Sequence, residues 1–76
     1  MIVSKGEPKT LWEAHEVVMK RRPRGNAKSS DWVAFRLGNA RLYEAVADVD
    51  RGHHHEALYW ADYEQRQAEE IQTGEA

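Results

Sequence analysis

The sequence predicts an all-α domain, a three-helix bundle made of a helical hairpin and a short N-terminal helix, with helices at about 10–22, 30–51 and 53–71. Three observations carry this prediction. Apolar residues recur every three or four positions in three separate stretches. Turn-forming residues divide these stretches, from Pro23 to Asn26 and again at Gly52. No convincing strand is present.

Residues 1–9 read as a flexible leader ending in Pro8-Lys9. Thr10-Leu11-Trp12-Glu13 then fits a capping box, in which the threonine oxygen and the Glu13 carboxylate satisfy backbone donors that a first helical turn leaves orphaned. Leu11, His15 and Val18, flanked by Trp12, Ala14 and Met19, form an apolar stripe, and Pro23 ends the helix near Arg22. Arg22 to Ser30 is a loop by its turn residues. Ser29 or Ser30 with Asp31 supplies the next helix start, because a serine cap and an early acid both suit the positive end of a helix.

In the second helix, Trp32, Phe35, Asn39, Leu42, Val46 and Val49 follow one another at alternating spacings of three and four. That is a seam with a repeat of about 3.5 residues, suited to packing along another helix, and a homodimer through it is one expectation. Val33, Leu37, Ala40, Tyr43 and Ala47 widen the stripe. Gly38 costs about 1 kcal/mol relative to alanine inside a helix and reads as the mark of a close helix crossing. Asn39 reads first as a solvent-edged residue, and otherwise as a device that fixes register or touches a partner.

Gly52 suits the left-handed residue that follows a helix end. In the third helix Ala57, Trp60, Ala61, Glu64, Ala68 and Ile71 share a face, and the alanines allow close backbone approach. Leu58, Tyr59 and Tyr63 lie elsewhere on the cylinder, so apolar surface faces more than one side. Asp62 and Arg66 can pair one turn apart. Residues 72–76 should fray as a flexible tail, leaving 10–71 as one domain.

Gly52-His53-His54-His55-Glu56-Ala57-Leu58-Tyr59-Trp60 resembles the turn and second helix of a tetratricopeptide repeat, which reads glycine, four residues, alanine, leucine, then aromatics. The likeness covers half of one repeat. The positions of that repeat's first helix fall on Arg41, Glu44, Ala45 and Asp48, where the family places large apolar residues, glycine and tyrosine. A lone repeat cannot close its own core, so the resemblance implies only an antiparallel helical hairpin. More broadly, Leu11-Trp12-Glu13-Ala14-His15 and the run from Asp50 to Ala61 resemble a family of small actinobacterial helical proteins that share both segments. That likeness would span about residues 10–70 and implies a source and a cytosolic compartment, without a mechanism.

Composition narrows the function classes. A chain of 76 residues is one domain, close to the size at which a single core only just outweighs folding entropy. Apolar residues at 41% and charged residues at 32% are ordinary for a folded domain and unlike a disordered one. No cysteine is present, which excludes disulfides, thiolate metal sites and cysteine nucleophiles. The first six residues lack a signal peptide's apolar core, and no apolar run reaches membrane-spanning length, so a cytoplasmic protein without a membrane partner is expected. The net charge of −2 is unevenly divided: residues 1–43 carry nine Lys/Arg against four Asp/Glu, and residues 44–76 carry two against nine. Either a dipolar surface orients partners, or antiparallel helices set the two halves side by side.

Chemically, the run His53-His54-His55 between acids stands out. Consecutive helical residues point about 100° apart, so three adjacent histidines cannot meet one ion, and no metal site or cofactor is expected. They read as a helix-entry device and as candidates for a pH-sensitive interface. Ser29 and Ser30 read as caps and the acids Glu13, Glu16, Glu64, Glu69 and Glu70 as solvated, so no catalytic residues are assigned and an enzyme is not expected. Lys20, Arg21, Arg22, Arg24 and Lys28 form a basic cluster, with no acid from Val17 to Ser30, that would bind phosphates as an alternative function. The leading expectation is a small adaptor or regulatory module that binds an unidentified protein partner through Tyr59 and Tyr63, with Tyr43 nearby, because surplus aromatic surface has the composition of an interface core.

Overall fold

The computed structural model describes residues 7–75. The leader expected at 1–9 therefore falls partly outside the described residues, as does Ala76. The fold is all-α: α1 spans Leu11–Lys20, α2 Ser29–Val49 and α3 His54–Glu75, with a 3-10 turn at Arg51–His53 joining the last two. Among the described residues there is no strand, and no helix is long and apolar enough to cross a membrane.

The first helix begins as a variant of the expected box. Thr10 Oγ1 accepts the Glu13 N–H at 3.1 Å, while the Glu13 carboxylate accepts from Lys9 N at 2.8 Å, one residue before the cap. A third acceptor comes from far along the chain, since Asp50 Oδ2 takes the Leu11 N–H at 2.8 Å. Three donors at this end are thus satisfied by side chains.

The start of α2 differs from expectation. Lys28 occupies the N-cap, with no side-chain cap bond, and Ser29 and Ser30 lie inside the first turn. Lys28 O accepts from both Asp31 N and Trp32 N, so the turn closes on backbone alone and Asp31 supplies the favourable charge. Gly52 also departs from expectation. No glycine has positive φ among the described residues, because the 3-10 turn carries the chain into α3 without a left-handed residue. The third helix continues through Thr73 and Gly74 to Glu75, so residues 72–75 are helical where fraying was expected.

The second and third helices form an antiparallel hairpin, fixed by contacts from Asn39 and Arg36 to Glu64 at one level and from Ala47 to His54 near the turn. Of the ten buried hydrophobic residues described, six are alanine, so the backbones approach closely and little volume separates them. Phe35, Asn39, Tyr43, Val46 and Ala47 carry the buried face of α2, whereas Val49 is 59% exposed. The strict 3.5-residue seam therefore holds only to Val46. A straight helix drifts about 20° per heptad from that repeat, which rotates Val49 outward and brings Tyr43 and Ala47 in. This face is covered by helices of the same chain. Burying a side chain such as Val46 contributes on the order of 1.5–3 kcal/mol.

Helix α1 lies across the hairpin with its start at Asp50 and its end, through Arg21, at Asn39. It therefore runs antiparallel to α2 and parallel to α3. Leu11 and Ala14 are buried against Tyr43, Val46, Ala57 and Ala61, with Val18 packed at the edge.

Candidate functional site: the groove between α1 and α3

Because α1 and α3 flank α2 on the same side, a groove of about 540 Å³ runs between them. From α1 and the residues just after it come Trp12, His15, Glu16, Met19 and Arg22; from α3, Trp60, Tyr63 and Glu64; from α2, Arg36 and Tyr43. Trp12 is 72% exposed, Met19 76% and Tyr63 36%, around a half-buried Trp60. The His15 and Trp60 ring centroids lie 5.3 Å apart with planes at 86°, and those of Trp60 and Tyr63 lie 5.5 Å apart at 78°. Two rings thus stand nearly perpendicular to the indole, a favourable aromatic geometry that also makes a corner.

Beneath the rings lies a polar layer set into an otherwise apolar seam. Asn39 is fully buried; its Oδ1 accepts from Arg21 Nη2 at 2.7 Å and from Nε at 3.1 Å. Its Nδ2 donates to Glu64 Oε1 at 3.2 Å, and Arg36 Nη1 donates to the same oxygen at 3.1 Å. The layer thereby joins the end of α1 to the middle of both long helices. Asn39 is not solvent-edged as expected, and Glu64 is not solvated: it is 4% exposed. Both are tolerated because each finds charged or amide partners. Gly38 marks the path of Arg21, since a Cβ there would lie 3.4 Å from Arg21 Nη2; no helix backbone crosses at that point.

Tyr43 is 2% exposed, which corrects its assignment as a docking residue: it belongs to the core, under α1. Its hydroxyl lies 2.7 Å from His15 Nδ1 and donates to it in the tautomer that carries the proton on Nε2. Burial above all, and next the negative charge of Glu64, push the Tyr43 phenol up to about 12, with Arg21 acting in the opposite sense. Tyr63 lines the groove. Tyr59 is 61% exposed beside it, with its ring 5.3 Å from that of Trp60.

The basic cluster is divided. Arg21 turns inward to Asn39, and the Arg22 guanidinium lies 5.3 Å over the Trp32 ring. Lys20, Arg24 and Lys28 are exposed and form no ion pair with a described residue.

The histidine run does three different things. His53 Nδ1 donates to Asp50 Oδ2 at 3.0 Å, and its other nitrogen lies 3.9 Å from Glu56. His54 Nδ1 donates to Ala47 O at 2.8 Å, satisfying one of the last carbonyls of α2. His55 is exposed, with its ring against that of His54. Among the described residues, no three His, Asp or Glu side chains converge to hold a metal ion.

Trp12, Glu16 and Met19 were missed as site residues. Their spacing of four and three is a second helical stripe on α1, beside the core stripe, and that was the available signal. No protein-family model, curated protein or solved structure matches this chain.

Proposed function

We propose that this chain is a small non-enzymatic protein-interaction module, adaptor or regulatory in role, that docks its partner in the groove between α1 and α3. The observation that carries this reading is the gathering of exposed Trp12, Met19 and Tyr63 around half-buried Trp60 on a concave surface. Aromatic residues and methionine are enriched in interface cores, and anchors of this kind supply most of the binding energy. A monomer seldom leaves such a patch uncovered without a use for it. The polar layer beneath supports the same reading, because it holds the groove walls at a fixed separation before a partner arrives. A non-enzymatic role is favoured by the titratable groups of the groove: the Tyr43 proton is held to about 12, and His15 is engaged with that phenol.

The test is affinity capture from native lysate of the source cells, with and without nuclease, comparing the wild-type chain with Trp12→Ala/Tyr63→Ala. The expected result is a stoichiometric protein that survives nuclease and is lost from the double variant, whose melting temperature matches wild type. A cytoplasmic setting and a homodimer through this groove are compatible with the same reading, and a second copy would be recognised by concentration-dependent mass.

A second reading rests on Lys20, Arg24 and Lys28, three exposed cations without an acidic partner among the described residues. They would contact phosphates in a salt-dependent way. Recovery that is nuclease-sensitive and lost on neutralising these three would favour nucleic acid over protein.

A further inference from the structure

We infer that the chain's own first residues, with Ile2 and Val3 as anchors, seat in a second trough along α2 and strap the start of α1 to that helix. The trough encloses about 490 Å³, lined by Leu42, Ala45 and Val49 on α2 and by Glu7, Pro8 and Lys9 ahead of α1. The three α2 residues follow at spacings of three and four and form one stripe. Ala45 lies about 200° round the helix from Ala47, which packs in the core with Ala57 and Ala61, so the stripe faces away from α3. Leu42 and Val49 belong to the apolar seam of α2, and α1 covers that seam only in part: Leu42 is half-buried and Val49 is 59% exposed.

The occupant is selected by where the chain enters. Leu11 N is tied to Asp50, the neighbour of Val49, and Lys9 N is tied to Glu13. Residues 7–9 are thereby held on the rim of the trough, at its Val49 end. Six residues precede Glu7, and an extended chain of that length reaches about 20 Å. The stripe from Val49 to Leu42 is shorter, a helical rise of about 10 Å. Ser4-Lys5-Gly6 is the polar connector, and the apolar residues Met1, Ile2 and Val3 come at the distance where the stripe lies.

Tethering favours this segment over a separate molecule. A segment joined to the rim by three residues meets the trough at an effective concentration on the order of millimolar, which a free partner seldom matches. The strap also has a mechanical consequence. It fixes the chain just before the Thr10 cap, and with it the α1 wall of the aromatic groove.

The test is an isotope-filtered NOE experiment on the intact chain, methyl-labelled at Ile, Leu and Val and mixed with an equal amount of unlabelled protein. Intramolecular contacts from the Ile2 and Val3 methyls to those of Leu42 and Val49 are expected. Ile2→Ser/Val3→Ser should lower the melting temperature by about 4 °C, and by about 1 °C or less in a Val49→Ser background, because the two sites share one contact. Absence of the NOEs overturns the inference. Intermolecular NOEs to the same stripe also overturn it and assign the trough to a second copy. Equal melting losses with and without Val49→Ser would overturn it as well.

Discussion

The carboxylate of Asp50 accepts the Leu11 backbone N–H at 2.8 Å across 39 positions of sequence, so the acid that closes α2 also caps α1. It further receives a hydrogen bond from His53 at 3.0 Å. One side chain thus ties the α2–α3 turn to the start of the helix that forms a groove wall. The Leu11 bond first, and His53 second, hold Asp50 below the ordinary carboxylate value of 3.8.

This sets an acid limb of stability. A carboxyl whose folded value lies below its unfolded value stabilises the fold fully above the unfolded value. That contribution is lost as pH falls from about 3.8 through the lower folded value. Asp50→Asn should lower the melting temperature at pH 7 and flatten this part of the acid limb, read by circular dichroism melts between pH 2 and 7. An unchanged acid limb in the variant would remove Asp50 from the account.

At the alkaline end Tyr43 governs. Its folded value of about 12 lies above the ordinary 10.0, so the folded state keeps the proton and is stabilised below pH 10. Stability then falls as pH rises from 10 through 12, by an amount on the order of 3 kcal/mol when complete. Tyr43→Phe should delete the late step from an ultraviolet phenolate titration, and should remove this alkaline loss of stability.

The polar layer should be costly to break from either side. Asn39→Ala removes the shared partner of Arg21 and Glu64, and a loss of about 2–3 kcal/mol in urea unfolding is expected. Glu64→Leu strands Arg36, whose side chain is only 15% exposed, at about 3 kcal/mol. The double variant Asn39→Ala/Glu64→Leu should lose less than the sum, because the two share one network. Additive losses would show that the layer does not act as a unit.

Two glycines should be replaceable. The Cβ added by Gly38→Ala would sit 3.4 Å from the flexible end of Arg21, an ordinary contact, and the helix gains up to about 1 kcal/mol in propensity. Gly52→Ala meets nothing within 4 Å and requires no positive φ, so a gain of about 0.4–1 kcal/mol is expected from the unfolded state. Destabilisation at Gly38 would instead indicate a backbone approach there.

What the sequence made legible was local. The Thr10 cap, the stop before Pro23 and the alanine face of α3 follow from neighbours three or four positions apart, and each lies where periodicity places it. The cap of α2 was misread because serine propensity is weak against a turn that Lys28 O closes by itself. The polar layer was illegible for a different reason. Asn39 meets Arg21 from 18 positions away and Glu64 from 25, and a hydrophobic pattern assigns a residue to a face without naming its partner. Tyr43 fitted both the packing stripe of the second helix and a place beside the docking tyrosines by the same limit, since only the crossing of α1 over the hairpin covers it. The groove itself depends on α1 lying parallel to α3, which no spacing within α1 encodes.

The most direct test of the docking account is site-specific photo-crosslinking in the source cells, with a photoreactive residue at Met19 in the groove or at Arg41 on the exposed far side of α2. The account predicts a discrete protein adduct from position 19 and none from position 41. Equal adducts from both positions, or no adduct from position 19 while the chain remains folded, would contradict it.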